Sequence, residues 1–157
     1  SLTAGCADIA SVSAGAGMPD ITNLAFDPTT SESAQFSIRM PTNWNEGTIT
    51  FDYQWSHAVT TVNFGTVFGL SAVAVSNDDT IGAAFGTEIT VADTGGTTDD
   101  LYISPESAAM TVAGTPAAGD VVYFNLARKT ADGSDTLAVD ARLSGITLYI
   151  TTDAAIG

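Results

Sequence analysis

His57 is the chain's one histidine, so a catalytic triad or an imidazole-bound metal would have to be built around it. Acyl transfer needs a nucleophile beside a base and a third group that orients the base. Ser56 and Asp52 lie close by, but no Gly-x-Ser-x-Gly or His-Glu-x-x-His arrangement accompanies them. His57 therefore reads as a half-buried residue at a strand end, bonded to backbone. Glycosidase chemistry asks for two carboxylates about 5–10 Å apart in a cleft. With 18 acidic residues some pair meets that spacing by chance. Seven of them stand where turns use them, at Asp78, Asp79, Asp99, Asp100, Asp120, Asp132 and Asp135. No enzyme is expected.

Binding chemistry has better candidates. Asp132-Gly-Ser-Asp135 and Asn77-Asp-Asp79 cluster hard oxygen donors, which calcium takes in sets of about six to eight. Asp132, Asp135, Asp78 and Asp79 are thus the candidate calcium ligands, with ordinary turns as the alternative; neither segment continues into an EF-hand or a nonapeptide repeat. No other cofactor is implied. Sugar stacking needs an exposed aromatic face, and Trp44, in the turn before the clearest strand, offers an indole if it is not buried against a neighbouring loop or subunit. Tyr149 shares the polar face of the last strand with Thr147 and Thr151 and is the second candidate for carbohydrate. Tyr53 and Trp55 fall on an apolar face and read as core.

The 157 residues suit one domain. Four Lys and Arg stand against 18 Asp and Glu, a formal net charge of -14, which repels phosphate backbones and anionic lipid surfaces alike. Nucleic-acid binding and membrane insertion are therefore not expected, and no apolar run reaches the roughly 20 residues of a spanning helix. Hydrophobic residues make up 45% of the chain and charged ones only 14%, which argues for a folded, acidic, soluble protein. The lone Cys6 can form no intramolecular disulfide. The amino end has neither a basic start nor an initiator methionine and reads as no intact signal peptide.

Period-two alternation dominates from about residue 33. Ala34, Phe36, Ile38 and Met40 alternate with Ser33, Gln35, Ser37 and Arg39 before Pro41 ends the pairing. Ile49, Phe51, Tyr53, Trp55 and His57 oppose Thr48, Thr50, Asp52, Gln54 and Ser56. Residues 64–75 are apolar or small on both faces, as in a central strand or one facing another subunit. Shorter strands are expected at 21–26, 87–92, 100–104, 108–112, 121–128, 136–143 and 146–151, with a helical turn within 76–85. Phe36, Ile38, Phe51, Trp55, Phe124 and Leu148 are the expected core. About nine strands at short spacing predict an all-β chain: a single β-sandwich of jelly-roll type over residues 21–157, led by an extended N-terminal arm or linker over 1–20.

The residues Phe36-Ser-Ile-Arg-Met-Pro41, Trp44-Asn-Glu-Gly47, Asn77-Asp-Asp79, Ala113-Gly-Thr-Pro-Ala-Ala-Gly119 and Asp135-Thr-Leu-Ala-Val-Asp-Ala-Arg-Leu143 resemble a family of tailed-bacteriophage virion appendage proteins over about residues 26–154. The resemblance implies a non-enzymatic structural protein on the virion surface, a head decoration or a tail-fibre domain. Its implied partners are other virion proteins, further copies of itself and a host surface glycan. A homotrimer is the expected assembly, with Phe64, Phe68 and Leu70 as candidate interface residues. The alternative is a carbohydrate-binding or receptor-binding module.

Overall fold

The computed structural model describes residues 5–59 and 64–153. Nine strands follow one another: β1 (Asp8–Ser13), β2 (Asp20–Phe26), β3 (Ser33–Arg39), β4 (Thr50–Ser56), β5 (Phe64–Val75), β6 (Ile89–Gly95), β7 (Tyr102–Ile103), β8 (Val121–Arg128) and β9 (Ala141–Tyr149). They form two antiparallel sheets, ordered β1-β2-β9-β4-β7 and β3-β8-β5-β6. From β2 onward the chain alternates between the sheets, except that β5 and β6 are hairpin neighbours in one of them. The resulting quartets, β2-β9-β4-β7 and β3-β8-β5-β6, have the jelly-roll topology, as the strand count and spacing predict. Within the segment read as an arm, Asp8–Ser13 is the edge strand of the five-stranded sheet, paired in a hairpin along β2 from Asp8↔Ala25 to Ser13↔Asp20 around a turn at Gly15–Met18; residues 1–4 lie outside the described residues.

Alternation decides which side chains enter the core. Phe51, Tyr53 and Trp55 of β4 are fully buried, opposite Phe68 and Leu70 of β5 and Val122, Phe124 and Leu126 of β8. The ring of Phe68 meets Phe26 edge-on at 5.1 Å and Tyr53 at 4.8 Å, the offset geometries that aromatic quadrupoles favour. Two buried hydroxyl and indole groups keep partners: the Tyr53 hydroxyl donates to the Thr66 carbonyl at 3.1 Å, and Trp55 Nε1 donates to Asp93 at 2.7 Å.

Several expectations are corrected here. β5 is central, between β6 and β8, and its outward side is covered too, by the loop at Ser134 over Gly65 and the Glu88 side chain over Gly69. Phe68 and Leu70 have no exposed surface, so these two belong to the sandwich interior and not to a subunit interface; Phe64 is half-buried and packs against the core. Residues 136–143 and 146–151 are not two strands; β9 runs through the Ser144-Gly145 pair, and a bulge opposite Gln54 and Trp55 absorbs the extra residue. Residues 108–112 contribute one isolated bridge, Met110 to Ile49. The segment 76–85 holds turns and no helix. Ile38 is 40% exposed and Phe36 is half-buried, since β3 is an edge strand and its inward side chains reach the open side of the sandwich; Leu148, near the end of β9, is half-buried as well.

One loop is fixed by charge. Arg128, at the end of β8, is fully buried, and all five guanidinium N–H donors have acceptors. Nε and Nη2 grip both oxygens of Asp135 at 3.0 and 2.8 Å; Nη1 donates to the carbonyls of Phe26 and Val139, and Nη2 to that of Leu137. Asp135 also accepts the Val67 amide at 3.1 Å. Gly65 lets the same loop approach β5, since a Cβ there would collide with the Ser134 carbonyl. Asp135→Ala leaves a buried guanidinium without its counter-charge and is expected to cost about 3–5 kcal/mol in urea unfolding. A loss under about 1 kcal/mol would remove this pair from the fold's supports.

Candidate functional site: the outer face of the five-stranded sheet

The residues that alternation turns away from the core on β4 and β9 are brought side by side by the register Thr50↔Tyr149 and Asp52↔Thr147. Tyr149 is 44% exposed, and its hydroxyl donates to Asp52 Oδ2 at 2.6 Å. The other Asp52 oxygen accepts from Gln54 Nε2 at 2.6 Å, which also donates to Thr147 Oγ1 at 2.9 Å. Thr50 bonds the Glu106 carboxylate from the segment after β7. Gln54 can lie flat over β9 because Gly145 has no Cβ to obstruct it. Asp52 is only 6% exposed, so the carboxylate anchors the group and Tyr149, Thr147 and Glu106 present it to solvent. The hydrogen bond to Asp52 raises the Tyr149 hydroxyl above its ordinary pKa, with burial and the Asp52 charge adding to it; the phenol therefore keeps its proton and its orientation at neutral pH.

This arrangement is a rigid, half-exposed aromatic ring bordered by planar carboxylate and amide groups and by hydroxyls. Such a set can lie against the C–H face of a sugar ring while accepting hydrogen bonds from its hydroxyls. Alternation placed each of these residues on a polar face; only the pairing of β4 with β9 makes them one surface. Glu106, in a loop after Pro105, carried no sequence signal.

The other sequence candidates separate. Trp44 is 1% exposed and packs in the hydrophobic core, with Nε1 unpartnered among the described residues. Its indole has no face for a sugar and is corrected to a structural role at the end of the sandwich. Asp135 is taken up by Arg128, whose positive charge excludes a metal ion from the same carboxylate. Asp132 caps its own turn through Ser134 N at 2.9 Å. Among the described residues no group of three or more His, Cys, Asp and Glu could hold a metal, so Asp132 and Asp135 do not assemble a calcium site with Asp78 and Asp79. Asp79 accepts from Ser76 N at 3.3 Å, and Asp78 holds a positive φ of 73°. Both line a crevice of about 470 Å³ on the opposite sheet, together with Arg39 and Tyr123. A separate cleft of about 300 Å³, between β2, β9 and the inner side of β3, is walled by Ile9, Leu24, Phe36, Leu126 and Ile146 and is apolar.

His57 is fully buried rather than half-buried, stacked on Tyr102 at 5.9 Å and edge-on to Phe64 at 5.7 Å. Its Nδ1 accepts the Val59 amide at 3.3 Å, as a backbone-bonded histidine should.

No family model matches the chain, and no curated protein matches it. Among solved structures, TmCBM61 in complex with beta-1,4-galactotriose is similar at a TM-score of 0.44 and 15% identity, covering 91% of this chain and 82% of that one.

Two outcomes are expected from these placements. Trp44→Ala should destabilise the fold by about 3–5 kcal/mol, as loss of a core aromatic does; an unchanged melting temperature would return Trp44 to the surface. Burial pushes the His57 imidazole below its ordinary value of 6.5. The unfolded chain thus binds this proton more readily than the folded one, so its contribution is complete above pH 6.5 and is lost as pH falls through that value. The urea midpoint should fall between about pH 7.5 and pH 5, and His57→Phe should flatten that fall. An identical pH profile in the variant would refute the assignment.

Proposed function

We propose that the protein is a non-catalytic binding module that takes a neutral glycan on the outer face of its five-stranded sheet. The observation that carries this reading is the Tyr149 ring, half-exposed and held by Asp52 within a connected set of hydroxyl, amide and carboxylate groups. Acceptors dominate the set, and the chain carries a net charge of -14. Sugar hydroxyls can donate into these acceptors, whereas a uronate would bring its own negative charge against Asp52 and Glu106.

The virion placement implied by the sequence resemblance is proposed alongside: a head decoration or tail-fibre domain would present this face outward, to a host surface glycan. The resemblance supports that placement, and the glycan reading does not depend on it.

Affinity electrophoresis in gels containing neutral polysaccharides, with polygalacturonate as the acidic comparison, tests the reading. At least one neutral polysaccharide should retard the protein, and polygalacturonate should retard it about tenfold less at low salt. Tyr149→Ala should abolish the retardation while leaving the melting temperature within a few degrees of the parent. Equal retardation of parent and variant, or retardation by the polyanion alone, would overturn it.

A further inference from the structure

The crevice on the opposite side of the sandwich combines the same kinds of groups in a deeper setting. It has a volume of about 470 Å³ and lies where the ends of β3, β5 and β8 meet the Ser76–Asp79 and Gly119-Asp120 turns. Arg39 and Tyr123 project from the outer face of the four-stranded sheet, where Ser37↔Tyr123 and Arg39↔Val121 flank the inward pair Ile38↔Val122, so the two are diagonal neighbours. Tyr123 is 37% exposed. Arg39 donates through Nε to the Gly119 carbonyl at 3.3 Å, which orients the guanidinium and leaves its terminal nitrogens without a protein acceptor among the described residues.

That freedom distinguishes Arg39. Of the chain's four cationic residues, Arg128, Lys129 and Arg142 are each ion-paired, to Asp135, Glu88 and Asp99. Arg39 makes no such pair among the described residues, although Asp78, Asp79 and Asp120 line the same crevice. Two of those carboxylates are used internally: Asp120 accepts from Ser76 Oγ and Ala117 N, both at 2.8 Å, and Asp79 accepts from Ser76 N. Asp78 and Asn77 are exposed on the rim.

We infer that this crevice is a second glycan site, so that the module binds neutral sugar on both outer surfaces of the sandwich. The inference rests on the glycan reading of the Tyr149 face. Tyr123 supplies the ring face, the Arg39 Nη groups donate to ring and hydroxyl oxygens, and Asn77 and Asp78 accept hydroxyl protons. Three carboxylates against one guanidinium make the crevice unfavourable to an acidic sugar. With the two sites on opposite sheets, one protein can bridge two chains of a surface polysaccharide or gain avidity on a dense one.

The test is titration of the ¹⁵N-labelled protein with cellotriose, mannotriose, maltotriose and diacetylchitobiose, read by amide shifts and by calorimetric stoichiometry. For a sugar that binds, two groups of amides should move, one around Thr147 and Tyr149 and one around Arg39, Asn77 and Tyr123, at about two sugars per chain. Tyr123→Ala should silence the second group and leave the first. Arg39→Gln, on an exposed strand end where folding is not at stake, should weaken that site about tenfold. Shifts confined to the Tyr149 face, or a crevice response unchanged in both variants, would overturn the second site and spare the first. Shifts confined to the crevice would overturn the Tyr149 reading instead, and no shift with any sugar would overturn both.

Discussion

The Arg128 guanidinium is the point on which the sandwich closes. It sits without solvent exposure at the end of β8, and its donors reach β2 through the Phe26 carbonyl, the 135–139 segment through Asp135, Leu137 and Val139, and indirectly β5, whose Val67 amide binds the same aspartate. A buried cation is tolerable only when its charge is matched and every donor is satisfied. Both conditions are met, so the loop before β9 has one low-energy position. That position starts β9 at Ala141, beside Phe26 of β2, and the bulge after Leu143 then sets the register of residues 145–149 against β4.

The outer face follows from that register. Had β9 slipped by one residue, Tyr149 would have turned inward and Leu148 outward, because side-chain direction in a strand has a period of two. With the observed pairing, Tyr149 stands next to Thr50 and within reach of Asp52, and the bulge at Ser144 and Gly145 leaves room for Gln54 to lie across the strand. The chain thus invests a buried ion pair in closing one end of the sandwich and obtains a rigid polar surface elsewhere. Rigidity would favour the sugar binding proposed for this face, since a ligand of many weak hydrogen bonds cannot also offset the ordering of mobile side chains.

Charge is distributed to the same effect. Three of the four cations are held by carboxylates, and acidic side chains are largely absorbed by turns, as at Asp27, which bonds Thr29 and Thr30 and is held at a pKa of about 2.

The two-residue period alone determined that this is an all-β chain, that Phe51, Tyr53 and Trp55 enter a core, and that Thr50, Asp52, Gln54, Thr147 and Tyr149 face away from it. Turn residues separated most strands correctly, and the count of short strands selected the jelly-roll sandwich. Local pattern could not report what covers a residue. Trp44 lies in a polar turn and looks available, yet the end of the sandwich closes over it; Phe68 and Leu70 look surplus to one core, yet their strand is central. Nor could spacing show that Asp135 is bound to Arg128 or that Asp52 meets Tyr149, 97 residues apart. The first is a loop folding back on the end of β8 seven residues earlier, and the second a contact between strands remote in sequence; both are fixed by loop closure or register, and a period repeats without saying what lies alongside.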